Sequence, residues 1–248
     1  MPRHARRKSK TDIYHIIMRG INRQNIFEDD EDNSRFISTL EKYKEISGYQ
    51  IYAYCLMSNH FHLLLKIGKE DLGIVVKRIA GSYSYWYNLK YHRDGHLFQD
   101  RFKSEAIEND AYLMTAIRYI HQNPVKANLC INVSDYVYSS YNEYLSDKPR
   151  LIDTSLILGI TDKTSFEKYT SENDKNDCMD VPDKTYKLND TDAMKTLFTV
   201  SNCKNATEFQ MLDIAQRDNF IRKLKHEGLS IRQISRLTGI SFGIVRKS

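Results

Sequence analysis

Two hydrophobic periods organise the first part of the chain. Ile13-Tyr14-His15-Ile16-Ile17-Met18 is rich in β-branched and aromatic residues and predicts a strand. Phe36, Ile37, Leu40, Tyr43 and Ile46 recur at about the 3.6-residue helical spacing, so a helix is expected there, capped by Asp32 or Ser34 and ended by Gly48. Tyr49–Met57 predicts a second strand and His60–Ile67 a third, joined as an antiparallel hairpin through Ser58-Asn59. A long helix should open at Asp71 and run to about Tyr91, with Ile74, Val75, Ile79, Tyr83, Trp86 and Leu89 inward. Phe102–Ile107 predicts a fourth strand. Asp110 should cap a helix from Tyr112 to about Asn123, stopped by Pro124. The order β-α-β-β-α-β-α predicts an α+β fold: a ferredoxin/RRM-like sandwich with one antiparallel sheet and its helices on one face.

Beyond this pattern, residues 132–145 (Val133, Tyr136, Tyr138, Tyr141, Tyr144) predict a short aromatic element packing back on the sheet domain. Residues 146–192 show little periodicity apart from a short helical piece at Ser155–Tyr169, and are expected to be a connector. Residues 193–248 predict a small all-α domain. Phe209–His226 is amphipathic, Gly228 breaks it, and Ser230 caps Ile231–Leu237. Thr238-Gly239-Ile240 makes a tight turn, and Ser241 caps a further helix from Phe242. That spacing is a helix-turn-helix pattern, with Arg232 and Arg236 as candidate DNA contacts. A generic helical hairpin is the alternative. Three segments are thus expected: 1–145, 146–192 and 193–248.

Charge sharpens this division. Residues 1–145 hold 20 Lys/Arg against 17 Asp/Glu, residues 146–192 hold 7 against 11, and residues 193–248 hold 10 against 4. Arg3, Arg6, Arg7, Lys8 and Lys10 crowd the first ten residues. Basic ends around an acidic middle favour a polyanionic partner such as nucleic acid; a solvated tail is the plainer reading. Four scattered cysteines without a Cys-x-x-Cys pair argue against a disulfide or zinc-thiolate framework. No apolar run approaches the roughly 18–20 residues of a membrane span, and no apolar stretch comes after the basic start as in a secretory signal. A cytoplasmic location is expected.

The candidate chemistry begins at His60-Phe61-His62. On a strand, side chains two apart share a face, so these imidazoles stand together as the start of a divalent-metal site, or simply pack. Tyr119 and Asn123 are four apart on a predicted helix and also share a face. If that helix lies beside the third strand, two imidazole nitrogens and an amide oxygen converge. That mixed set suits Mg²⁺ or Mn²⁺ and leaves room for a phosphate oxygen. Tyr119 would stand one turn away, placed to attack a phosphodiester and hold it as an ester.

These residues carry a resemblance. Met1-Pro2-Arg3 with Arg6-Arg7, Ile13-Tyr14-His15, Arg19-Gly20-Ile21-Asn22-Arg23, Met57–His62, Leu97–Lys103 and Arg118–Ala127 together resemble the single-tyrosine HUH transposases of the insertion-sequence-200-like superfamily. Within it they are most similar to the REP-associated tyrosine transposases. The resemblance covers roughly residues 1–145. It implies an enzyme that cuts and rejoins single-stranded DNA at hairpin-forming sites through a 5′-phosphotyrosine, with Mg²⁺ or Mn²⁺ as cofactor. It implies His60 and His62 as metal ligands, Tyr119 as nucleophile and Asn123 as third ligand, where relatives often have Gln. Pro2, Arg3, Arg6 and Arg7 would contact DNA beside the hairpin. Arg19, Arg23, Arg101 and Lys103 are candidate phosphate contacts, and a monomer is favoured over a dimer. The competing readings are a non-catalytic hairpin-DNA binder and a related HUH enzyme such as a rolling-circle replication initiator or conjugative relaxase; within the first reading Tyr112 is the fallback nucleophile.

Overall fold

The computed structural model describes residues 7–172, 178–179, 190–227, 229 and 231–248, and these divide into two compact units, Met1–Val181 and Pro182–Ser248. The first unit is built on a four-stranded antiparallel sheet: β1 (Ile13–Arg19), β2 (Gln50–Met57), β3 (His60–Lys66) and β4 (Lys103–Ile107), in the order β2-β3-β1-β4. With α1 (Asp30–Ser47) between β1 and β2 and α2 (Leu72–Lys90) between β3 and β4, this is the expected α+β sandwich.

Local chemistry explains the helix limits. Asp29, not Asp32 or Ser34, caps α1 by accepting from the Asp32 backbone N–H. Asp32 is buried inside the first turn, where the Lys90 ammonium binds its carboxylate at 2.8 Å. Lys90 also reaches Asp29 and Glu31, tying the end of α2 to the start of α1. Gly48 ends α1 in the left-handed conformation (φ 68°), as the pattern predicted.

The third helix, α3 (Asp110–Lys126), departs from expectation first in both of its ends. Asn109 caps it, and it passes through Pro124 instead of stopping there. Pro124 lies in the last turn, so only one intrahelical donor is lost, and its buried ring packs. Second, α3 lies on the opposite face of the sheet from α1 and α2. Phe61 and His62 point to opposite faces; Phe61 meets Phe36 of α1 with ring centroids 4.6 Å apart, whereas His62 faces Tyr119 of α3. Sheet faces covered on both sides explain why β2 and β3 are buried almost throughout.

The aromatic stretch does pack back. Leu56 N–H donates to Tyr138 O, Ser140 N–H to Tyr54 O, and the Tyr144 hydroxyl to Tyr52 O, so residues 138–144 with α4 (Tyr141–Leu145) line the outer edge of β2. The segment beyond residue 146 is more than a connector. Leu151, Ile152, Ile157 and Phe166 are buried in the same core, the last two carried by α5 (Ser155–Ile160) and α6 (Lys163–Ser171). Gln122 of α3 donates to Thr170 O and Glu172 O, and the Arg118 guanidinium lies 4.0 Å over the Tyr169 ring.

The second unit holds α7 (Asp190–Ser201), α8 (Ala206–Met211), α9 (Ile214–His226), α10 (Ile231–Thr238) and α11 (Phe242–Lys247) around Leu197, Phe209, Ile221, Leu224, Ile234 and Val245. The predicted single helix Phe209–His226 is broken, because Asp213 starts a new one by accepting from Gln216 N–H. Gly239 takes φ 73° in the turn between α10 and α11, and Gln210 of α8 donates to Thr238 O beneath it. Ser241 stands at the start of α11 without a side-chain cap bond. Gly228 and Ser230 lie outside the described residues.

Candidate active site

β3 sets the two histidines side by side. His60 faces Met57 of β2 and Arg19 of β1 across the ladder, and His62 faces Cys55 and Ile17. Their ring centroids are 5.1 Å apart. His60 Nδ1 lies 2.6 Å from Asn59 Oδ1. A carboxamide oxygen only accepts, so the proton sits on Nδ1 and the lone pair on Nε2. His62 is fully buried, with Nδ1 3.0 Å from His15 Nε2. Burial first, then the neighbouring His60 and His15, holds its pKa well below the ordinary histidine value. His62 is therefore neutral, the form that ligates metals. Its Nε2 is buried without a hydrogen-bond partner. A buried nitrogen in that state costs about 1–3 kcal/mol unless something binds it.

Tyr119 comes to this pair from α3. Its ring stands edge-on to His62 at 5.8 Å and to His15 at 6.2 Å between centroids, and the residue is 8% exposed. The Lys126 ammonium sits 4.6 Å from the Tyr119 ring centroid, a cation on the ring's negative face. Asn123 comes one turn after Tyr119, half-buried, and its Nδ2 donates to Tyr119 O at 3.0 Å. Its Oδ1 is then the atom left to meet a cation. Tyr112 is held differently: burial and a hydrogen bond to Glu105 raise its pKa above the ordinary phenol value, the wrong direction for a nucleophile.

Among the described residues no group of three or more His, Cys, Asp or Glu is arranged to hold a metal ion. The expected donor set differs from that pattern, being two imidazoles and one amide. The orphaned His62 Nε2 and the Nδ1-protonated His60 fit a divalent cation on the Tyr119 side of the sheet.

The basic residues are placed unevenly. Arg19, Arg101 and Lys103 line one cavity of about 280 Å³ with Ile17, Met18, Gln99 and Asp100, and Arg19 is cross-strand from His60. Arg23 lies in a 3-10 turn after β1. Arg7 is exposed at the edge of another cavity, about 290 Å³, lined by Lys8, Tyr14 and Phe102. Pro2, Arg3 and Arg6, and the side chain of Arg232, lie outside the described residues. Arg236 is exposed on α10 of the second unit.

Two residues at this site carry no role that the sequence pattern alone assigns. His15 is one, since a lone histidine on β1 joins the pair only once the strand register is known. Lys126 is the other. Its spacing of seven from Tyr119 on a helix is a usable signal, hidden by the expectation that Pro124 ends the helix.

Residues 8–123 match the model of the IS200-like transposase family, a span that includes His60, His62, Tyr119 and Asn123. Over that span the chain is similar to IS200-like transposases. A Haemophilus influenzae protein described as a putative REP-associated tyrosine transposase is 27% identical over 124 residues, which cover 45% of this chain and 68% of that one. The solved structure of a REP-associated tyrosine transposase bound to a REP hairpin superposes with a TM-score of 0.52 at 22% identity, covering 62% of this chain and 90% of that one. It shares its fold with this chain's first unit. No helix among the described residues is long and apolar enough to cross a membrane.

Proposed function

We propose that this protein is an IS200-like transposase that nicks and rejoins single-stranded DNA at hairpin-forming sites through a 5′-phosphotyrosine on Tyr119, with Mg²⁺ or Mn²⁺ held by His60, His62 and Asn123. The observation that carries this reading is the Tyr119 ring edge-on to a fully buried, neutral His62 whose Nε2 has no protein partner. A divalent cation bound there supplies polarisation of the scissile phosphate and neutralises charge on its oxygens.

The residues divide the work. Tyr119 Oη forms a bond to phosphorus as the bond to the 3′-oxygen breaks, and the proton that the phenol gives up ends on that oxygen, which leaves as a hydroxyl. Reversal rejoins the strand, and because one ester replaces another no nucleotide hydrolysis is required. Lys126 holds positive charge on the face of the ring whose oxygen attacks. Arg19, Arg101 and Lys103 bind backbone phosphates beside His60. Arg7, with Pro2, Arg3 and Arg6, engages the DNA flanking the hairpin. Arg23 serves a phosphate further along, and Arg232 and Arg236 read duplex DNA from the helix-turn-helix-like pair α10–α11.

Hairpin cleavage tests the reading. The chain incubated with a hairpin-bearing single strand and Mg²⁺ or Mn²⁺ should form a covalent protein–DNA adduct that Tyr119→Phe abolishes. An adduct surviving in Tyr119→Phe would move the nucleophile elsewhere. Tight, metal-independent hairpin binding with no cleavage of any strand would favour a DNA-binding role without chemistry.

A further inference from the structure

The histidine on β1 takes no part in the strand-transfer chemistry, yet it is the closest polar partner of a proposed metal ligand. His15 is fully buried in the middle of β1, a strand paired with β3 on one side and β4 on the other. Its Nε2 lies 3.0 Å from His62 Nδ1, and the two rings are nearly parallel, 23° apart with centroids at 5.2 Å. A hydrogen bond between two neutral imidazoles needs one donor and one acceptor. Either His62 donates from Nδ1, leaving a lone pair on its Nε2, or His15 donates, leaving His62 with its proton on Nε2 and no lone pair there. Only the first arrangement lets His62 ligate a cation.

We infer that His15 is a positioning residue: it accepts the His62 Nδ1 proton, locks His62 in the Nε2-ligating tautomer, and so sets the metal affinity of the site. The inference rests on the proposed metal role of His62. Packing alone does not ask for a histidine here, since a phenyl ring fills similar space without an acceptor nitrogen. A central strand paired on both sides is also the stiffest mount this fold offers, so His15 holds the His62 ring plane as well as its proton. Replacing such an outer partner commonly weakens metal binding by about 10- to 100-fold.

The test uses the full chain and Mn²⁺, with free ion followed by electron paramagnetic resonance, and imidazole ¹⁵N shifts of the metal-free protein. His15→Phe should weaken Mn²⁺ binding by about 10- to 100-fold, and His15→Gln, whose amide oxygen still accepts, should recover most of it. Metal-free wild type should show His62 protonated on Nδ1, and His15→Phe should lose that single tautomer. Unchanged Mn²⁺ affinity in folded His15→Phe, or a wild-type His62 protonated on Nε2, overturns the inference and leaves the metal reading standing. A wild type that binds no Mn²⁺ overturns both. Should His15→Phe not fold, equal loss of affinity in His15→Gln and His15→Ala would also overturn it.

Discussion

At the scale of single residues, burial keeps two imidazoles neutral, His62 on β3 and His121 on α3. His121, two residues past Tyr119, is fully buried among Tyr141, Tyr144 and Phe166, and its Nε2 meets Ser140 Oγ at 2.8 Å. Burial lowers its pKa to about 3. The unfolded chain takes up this proton near the ordinary value of about 6.5, whereas the folded protein resists it. His121 thus contributes its stability in full above about pH 6.5, and that contribution falls as pH drops toward 3, at up to about 1.4 kcal/mol per pH unit. Urea unfolding at a series of pH values from 7 to 4 should show this slope. His121→Gln should start less stable at pH 7 and lose less on acidification. Equal slopes would place the acid sensitivity elsewhere, His62 being the next candidate.

At the scale of elements, strand parity made the histidine pair legible. His-x-His on any strand shares a face, and the structure bears that out in β3. Which helix would cover that face was not legible, since an amphipathic α3 packs equally well on either side of a sheet whose strands are apolar on both. The cap of α1 was misplaced for a similar reason. Asp29, Asp30, Glu31 and Asp32 offer four adjacent acids, and Lys90, fifty-eight positions beyond Asp32, decides which is buried. The segment beyond residue 145 was opaque because its buried residues are few and widely spaced. Phe166 illustrates the point: isolated in a polar stretch, it stacks on Tyr144 with centroids 4.4 Å apart and is fully buried. Phe166→Ala should therefore destabilise the first unit by about 3–5 kcal/mol in chemical denaturation. A loss under about 1 kcal/mol would return α6 to the status of a loosely attached connector.

At the scale of the whole molecule, the chain carries a cluster of buried hydrophobic side chains in each unit. The first was readable as a sheet with its helices from hydrophobic order, except for the side of the sheet that α3 covers. The second was readable as helices, with the turn at Gly239 fixed by a positive φ that glycine supplies cheaply. What sequence could not supply was the lateral bracing of α3. Its inward side meets β2 and β3, while Gln122 and Arg118 fasten it to α6 of the same polypeptide.

That fastening has a consequence for how copies of the chain cooperate. A helix seated on the sheet and fastened to α6 of its own polypeptide is not readily lent to a neighbour, so Tyr119 should serve only the histidines of its own copy. Two crippled proteins, His62→Ala and Tyr119→Phe, should then fail to complement each other when mixed over hairpin DNA. Adduct formation by intact protein should rise in proportion to concentration, without the lag that obligate pairing imposes. Restored cutting in the mixture would mean that α3 leaves its bracing and works for its neighbour.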